Sequence, residues 1–185
     1  MTIPAGLILN GLEVFLLVFV RMTGLFVIAP VFGRRNIPAY FKIGFSFFMA
    51  LILINTAAVQ GLSGDLSVFS YALAVIKEFI VGISIGFISY LTFTAIYIAG
   101  EVIDMQIGFG IVNVIDPASN IQIPVTSNLY FIISMLLLFA IKGHHMIIKA
   151  LFDSFSSLPL GEASFDAGLA DGLINVFSTM FATGI

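Results

Sequence analysis

The stretch VFSYALAVIKEFIVGISIGFISYLTFTAIYIA, from Val68 to Ala99, holds only two charged residues, Lys77 and Glu78. As a helix, about 20 predominantly apolar residues cross the roughly 30 Å of a bilayer's hydrocarbon. This run is too long for one upright crossing and short for two. It is also far too apolar for a helix that wets one face, and the surrounding sequence agrees. Leu7 to Val31 is a second long run, interrupted by Glu13 and Arg21 and ended by Pro30. Ile43 to Val59 is just long enough to span, and a stretch containing Gly, Ser and Asp follows from Gln60 to Ser67. These two runs predict a helical hairpin. Val125 to Ile141 is a further run, and a last one starts at Leu173 with no room for a complete helix before Ile185, so a truncated chain is expected.

Composition points the same way. Hydrophobic residues make up 60% of the 185 and charged residues 9%, against about 45 to 50% and 25% in soluble domains. So few charges cannot cover a water-facing surface, and the polar residues fall into short clusters that read as loops between spans. The expected class is an all-α membrane protein. With no cysteine there is no disulfide frame and no thiolate metal site. A net charge of −3 argues against a nucleic-acid partner. Met1 to Gly6 has no basic residue and no small-residue cleavage site follows the first run, so that run reads as retained rather than as a signal peptide.

Arg34, Arg35 and Lys42 form the strongest basic cluster and predict a cytoplasmic loop. If Val68 to Ala99 crosses once, Lys142 and Lys149 fall outside, against the positive-inside rule. If it turns back as a hairpin the rule is obeyed, but both crossings are very short. Arg21, Lys77 and Glu78 stand at membrane depth, where a charge costs at least about 2.5 to 3.5 kcal/mol on insertion scales. They read either as structural ion pairs or as residues lining a path. Arg21 in particular is expected to find an acidic residue or backbone carbonyls. Gly82 with Gly86, and Ser46 with Ala50, have the small-x-x-x-small spacing of closely packed helices.

The most unusual stretch is Gly100 to Pro124, which mixes helix breakers with apolar residues. Gly108 and Gly110 flank Phe109, and Asp116 before Pro117 favours an extended or turning chain. A solvated loop has little reason to carry Ile107, Phe109, Ile111, Val112, Val114 and Ile115, so an irregular, buried or cavity-lining segment is expected. After it, Ile147, Ile148, Leu151, Phe152, Phe155 and Leu158 recur at helical spacing opposite Lys149, Asp153, Ser156 and Ser157. This predicts an amphipathic helix over Lys142 to Leu158.

Catalysis finds little support. Asp104 and Asp116 fail the Gly-x-Gly-Asp signature of an intramembrane aspartyl protease, because Ile111 follows Gly110. His144 and His145 are adjacent and point about 100° apart on a helix, a poor chelating pair. No Ser or Cys nucleophile stands with a His, and no phosphate-cradling Walker sequence is present. No enzyme, cofactor or metal site is expected.

Several short motifs recur together: Arg21-Met22-Thr23-Gly24, Pro30-Val31-Phe32-Gly33, Ile37-Pro38, Gly100-Glu101, Met105-Gln106-Ile107-Gly108-Phe109-Gly110, Asp116-Pro117, Gly143-His144-His145 and Pro159-Leu160-Gly161. In order and spacing this set resembles the FliR family of flagellar biosynthesis proteins, which includes the virulence type III secretion subunit SctT. The resemblance implies a single export-gate membrane domain over residues 1–185, made of tilted and kinked helical hairpins and lacking the family's C-terminal FliQ-like hairpin. It implies assembly with FliP and FliQ into a conduit for unfolded flagellar proteins, with FlhB docking on the cytoplasmic side, in the bacterial inner membrane at the flagellar basal body. It also implies that Gln106, Ile107, Gly108, Phe109, Gly110, Ile111, Val112 and Asn113 form the pore plug. The competing expectation is a small-molecule or ion transporter, which should show repeated halves and a polar midspan site. Neither is evident here.

Overall fold

The computed structural model describes residues 5–32, 37–54, 67–108 and 124–162, together with 172, 174–179 and 182. All regular structure among them is helical: α1 (Ala5–Ile28), α2 (Ala39–Ile54), α3 (Val68–Ile107), α4 (Val125–Ala140) and α5 (Gly143–Ser157), with 174–179 also helical. The protein is an all-α membrane protein. Gly11–Ile28 and Val68–Ile107 are long and apolar enough to cross a membrane, and α4 with α5 is a third candidate if the pair counts as one bent span.

The Val68 run is neither a hairpin nor an ordinary span. It is one uninterrupted helix of 40 residues, about 60 Å long at 1.5 Å per residue and so roughly twice the hydrocarbon thickness. No proline lies within it, and its glycines serve close approach rather than breakage. The helix also continues past Ala99, so Gly100 to Ile107, expected to open the irregular stretch, form its last two turns. Several hydroxyls on α3 bond back to the helix itself. Ser84 donates to the Ile80 carbonyl at 2.8 Å, and Thr94 to that of Tyr90 at 3.0 Å.

The second run starts earlier than its hydropathy suggests. The Pro38 carbonyl accepts from the amides of Phe41 and Lys42, so α2 begins at Ala39 and Lys42 is helical rather than part of a basic loop. Arg34 and Arg35 lie outside the described residues. Pro30 sits in the turn that ends α1, closed by the Phe32 amide on the Ala29 carbonyl at 3.0 Å.

The chain divides into two compact units, with α3 contributing to both. The first comprises Met1–Ser89 and His145–Asp166. Its core is built on α1: Leu17, Val18, Met22, Leu25 and Phe26 meet Ala50 and Leu53 of α2, Ala74 of α3, and Leu151 and Phe155 of α5. Phe26 packs edge-on against Phe32 and Phe45, and Phe47 against Phe15 and Phe19. α1 and α3 run side by side in the same direction, since Gly24 faces Gly82 and Leu25 faces Gly86. A Cβ on Gly24 would lie 2.7 Å from the Phe79 carbonyl oxygen, and one on Gly82 would run into the Arg21 carbonyl. The Gly82/Gly86 spacing is thus used inside the chain. Ser46 and Ala50 are likewise fully buried on α2. The exposed faces are apolar, as Phe48 at 66% and Ile52 at 59% show on α2, which suits lipid or protein neighbours rather than water.

The second unit comprises Tyr90–His144 and Ala167–Ile185. In it the C-terminal part of α3 packs on α4, with Phe93 edge-on to Phe131. α4 ends where Ile141 and Lys142 donate to the Leu137 and Phe139 carbonyls, and Lys142 takes a left-handed φ of 57°. Glycine usually fills that conformation, but here the glycine is the next residue, Gly143, packed against Leu138. α5 then follows with the amphipathic pattern read from its sequence. Leu151 and Phe155 are buried, Ile147, Ile148, Phe152 and Leu158 half-buried, and Lys149, Asp153, Ser156 and Ser157 exposed.

Candidate functional site

Two polar knots stand out in this apolar chain, one in each unit. The first joins Arg21 of α1 to Glu78 of α3, both fully buried. Arg21 Nε donates to Glu78 Oε2 in an ion pair. The remaining groups of both side chains are also used. Arg21 Nη1 donates to Ser154 Oγ at 3.2 Å and Nη2 to the Leu158 carbonyl at 3.1 Å, while the guanidinium sits 4.2 Å above the Phe155 ring. Glu78 Oε1 accepts the Gly161 amide at 3.0 Å, where the chain has a left-handed φ of 79°. The clasp ties α1, α3, α5 and the turn after α5 together. A buried charge needs this degree of compensation, because desolvation otherwise exceeds the Coulombic gain. Of the two readings left open by the sequence, this geometry is that of a structural ion pair. Lys77, one position away, is half-buried and makes no ion pair among the described residues.

The second knot brackets the glycine-containing stretch. α4 begins after Pro124, which provides no side-chain cap. Its first-turn amides would be orphaned, and Asp104 of α3 caps them from outside: both carboxylate oxygens lie 3.1 Å from the Thr126 amide nitrogen, which donates to them. Only 5% of Asp104 is exposed, and the positive end of α4 favours its negative charge. About two turns back along α3, the Tyr97 carbonyl accepts from Oγ of the fully buried Ser127 at 2.9 Å. Between the two, Gly100 lets the helices touch, for a Cβ there would sit 2.5 Å from Ser127 Cα and 2.7 Å from its nitrogen. Tyr97, Gly100 and Asp104 lie on one stripe of α3, as spacings of three and four require.

α3 ends directly beyond this clamp. The Gly108 amide donates to the Met105 carbonyl at 3.2 Å, and Gly108 takes φ 85°, a left-handed helix end that a side chain would oppose. Of the expected plug residues, Gln106 and Ile107 occupy the exposed last turn and Gly108 the turn itself. Phe109, Gly110, Ile111, Val112 and Asn113 lie outside the described residues, as do Asp116 and Pro117. Sequence reading weighed Asp104 only as half of a catalytic pair and passed over Thr126 and Ser127. The available signal was a helix starting after proline with no cap of its own, and an acid preceded by glycine one turn earlier.

Other sites are bland. Among the described residues no three His, Asp or Glu side chains could share a metal ion. A groove of about 570 Å³ in the second unit is lined mainly by apolar side chains, among them Leu91, Ala95 and Ile96. Thr92, Tyr130, Asn175 and Thr179 add polar groups to its lining, but none is charged.

Comparison with known proteins decides the family. Residues 12–185 match the family described as bacterial export proteins, family 1. The chain belongs to this family. Among curated relatives it is similar to the flagellar biosynthetic protein FliR of Bacillus subtilis, 37% identical over 84% of this chain and 60% of the relative. FliR of Escherichia coli is 27% identical over 96% of this chain and 67% of the relative. FliR of Pectobacterium carotovorum is 29% identical over 95% and 69%. The chain thus spans 60 to 69% of the length of these family members.

Proposed function

We propose that the chain is a subunit of the type III protein export gate, assembling with FliP- and FliQ-type subunits into the conduit for unfolded flagellar proteins, with an FlhB-type subunit on its cytoplasmic side. The family match over residues 12–185 carries this reading. It operates without catalysis, as one export-gate domain in the bacterial inner membrane. The exposed apolar faces of α2 and α4 suit subunit or lipid contact. In this reading Gln106 to Asn113 plug the resting pore. A passage wide enough for an unfolded chain leaks ions unless something apolar fills it, and hydrophobic constrictions close by excluding water. Ile107, Phe109, Ile111 and Val112 supply the stopper, and Gly108 and Gly110 supply hinges.

Purification of the full protein in mild detergent tests the assembly: FliP- and FliQ-type subunits should come with it, and a chain that purifies alone and moves a solute by itself would favour a transporter. Deleting Gln106 to Asn113 tests the plug. Cells carrying the assembled deletion complex should leak small ions or dyes, and a complex that stays tight would eliminate it.

A further inference from the structure

Lys77 stands half-buried on α3 among apolar residues, and no described acid pairs with it. The acids on its own helix and on α1 are placed for other purposes. Glu78 gives one oxygen to Arg21 and the other to the Gly161 amide. Glu13 sits at the level of Tyr71, whose hydroxyl donates to the Glu13 carbonyl at 3.1 Å. That level is about 9 Å along α3 from Lys77. A cation in apolar surroundings is costly unless it meets an anion or water. The side of α3 that carries Lys77 offers neither. Leu73, Ile76 and Ile80 lie four residues and one residue before it and three after, so they share its side of the helix, and all three are exposed.

We propose that this face of α3 is a subunit interface, on which Lys77 takes the carboxylate of an Asp or Glu carried by an apolar helix of a neighbouring subunit. The inference rests on the assembly proposed above and names one contact within it. A lipid phosphate is the other anion at hand, but a lysine reaches headgroups from the water end of its helix. Here exposed apolar residues continue on both sides, through Phe69 to Val68 about 14 Å before Lys77, and to Ile88 after it. A phosphate at Lys77 would be ringed by apolar side chains. An acid on an apolar helix brings its own packing, and Leu73, Ile76 and Ile80 would close over the pair. Such a pair fixes register and partner choice.

The test uses the full protein, produced in cells together with the other gate subunits. Ile76→p-benzoylphenylalanine places a photoreactive group beside an intact Lys77, at an exposed position. Illumination should link it to a gate subunit, on a membrane helix with Asp or Glu within about one turn of the linked residue. Adducts with lipid alone, with a second copy of this chain, or with a helix carrying no acid there would overturn the proposal. Charge reversal gives the second readout. Lys77→Glu should lower the gate subunits recovered with the protein in mild detergent at least about tenfold, because like charges facing each other across an interface oppose association. Lys77→Arg should keep them, and changing the linked acid to Lys should restore recovery with Lys77→Glu. Recovery of Lys77→Glu at the wild-type level would also overturn the proposal. Should Lys77→Glu fail to accumulate in the membrane, the crosslink decides alone, since it leaves Lys77 in place. A wild-type protein that brings no gate subunits with it would overturn the assembly itself, whereas a wild type that brings them beside an unaffected Lys77→Glu overturns only this contact.

Discussion

The two polar knots solve the same problem differently. The Arg21–Glu78 clasp buries two opposite charges and uses donors from α5 and the following turn to satisfy them. The Asp104 clamp buries one charge and satisfies it with backbone amide and helix dipole. A clasp of this kind is all or nothing: removing either partner strands a full charge. The clamp can lose Asp104 and still keep Ser127 on Tyr97 and the contact at Gly100. The contrast separates a knot whose loss strands a buried charge from one that keeps most of its contacts when a member is removed.

The largest expected effect therefore belongs to the clasp. Glu78→Ala should destabilise the first unit by about 3 to 5 kcal/mol, the cost of leaving a buried charge unpaired. It should appear as loss of the protein from the membrane fraction. The double change Arg21→Met with Glu78→Leu should recover much of it, and equal loss in the single and double variants would mean that the pair's shape, not its charge, matters. Gly82→Ala comes next. Its methyl group collides with the Arg21 carbonyl, and overpacking of this kind costs about 1 to 3 kcal/mol. Thermal unfolding in detergent would register it, and an unchanged midpoint would show that α1 and α3 can part without cost. Asp104→Ala should be milder, about 0.5 to 2 kcal/mol, and confined to the start of α4. Hydrogen exchange should quicken at Thr126 and Ser127 while α1 stays protected, whereas quickening throughout would erase the distinction between the knots. Smallest is Lys142→Gly, which should gain up to about 1 kcal/mol by relieving a left-handed non-glycine residue.

Much of this was legible in the sequence. Apolar runs marked α1, α3 and α4, and helical spacing marked α5. The need to neutralise Arg21 followed from the cost of charge in lipid, although its partner Glu78, 57 positions away, could not be read from local spacing. The continuity of α3 was hidden because hydropathy counts length in spans, while this helix exceeds a span and ends at the left-handed Gly108. Gly100 looked like a breaker, because its purpose lies across the helix pair, on Ser127. Asp104, weighed only as half of an aspartyl pair that fails its signature, gave no sign of its role for the same reason: a cap supplied from another helix leaves no pattern in the segment it caps.

The contact between α3 and α4 can be tested most directly by distance. The chain has no cysteine, so spin labels can be placed at the exposed positions Met105 and Asn128, one on each side of the clamp. Their separation would be measured in the wild-type protein and in the Gly100→Ala variant. A close contact at Gly100 predicts a longer separation in the variant, because the added methyl group would lie 2.5 Å from Ser127 Cα. Identical distance distributions in the two would show that α3 and α4 do not touch at Gly100 and would contradict the account.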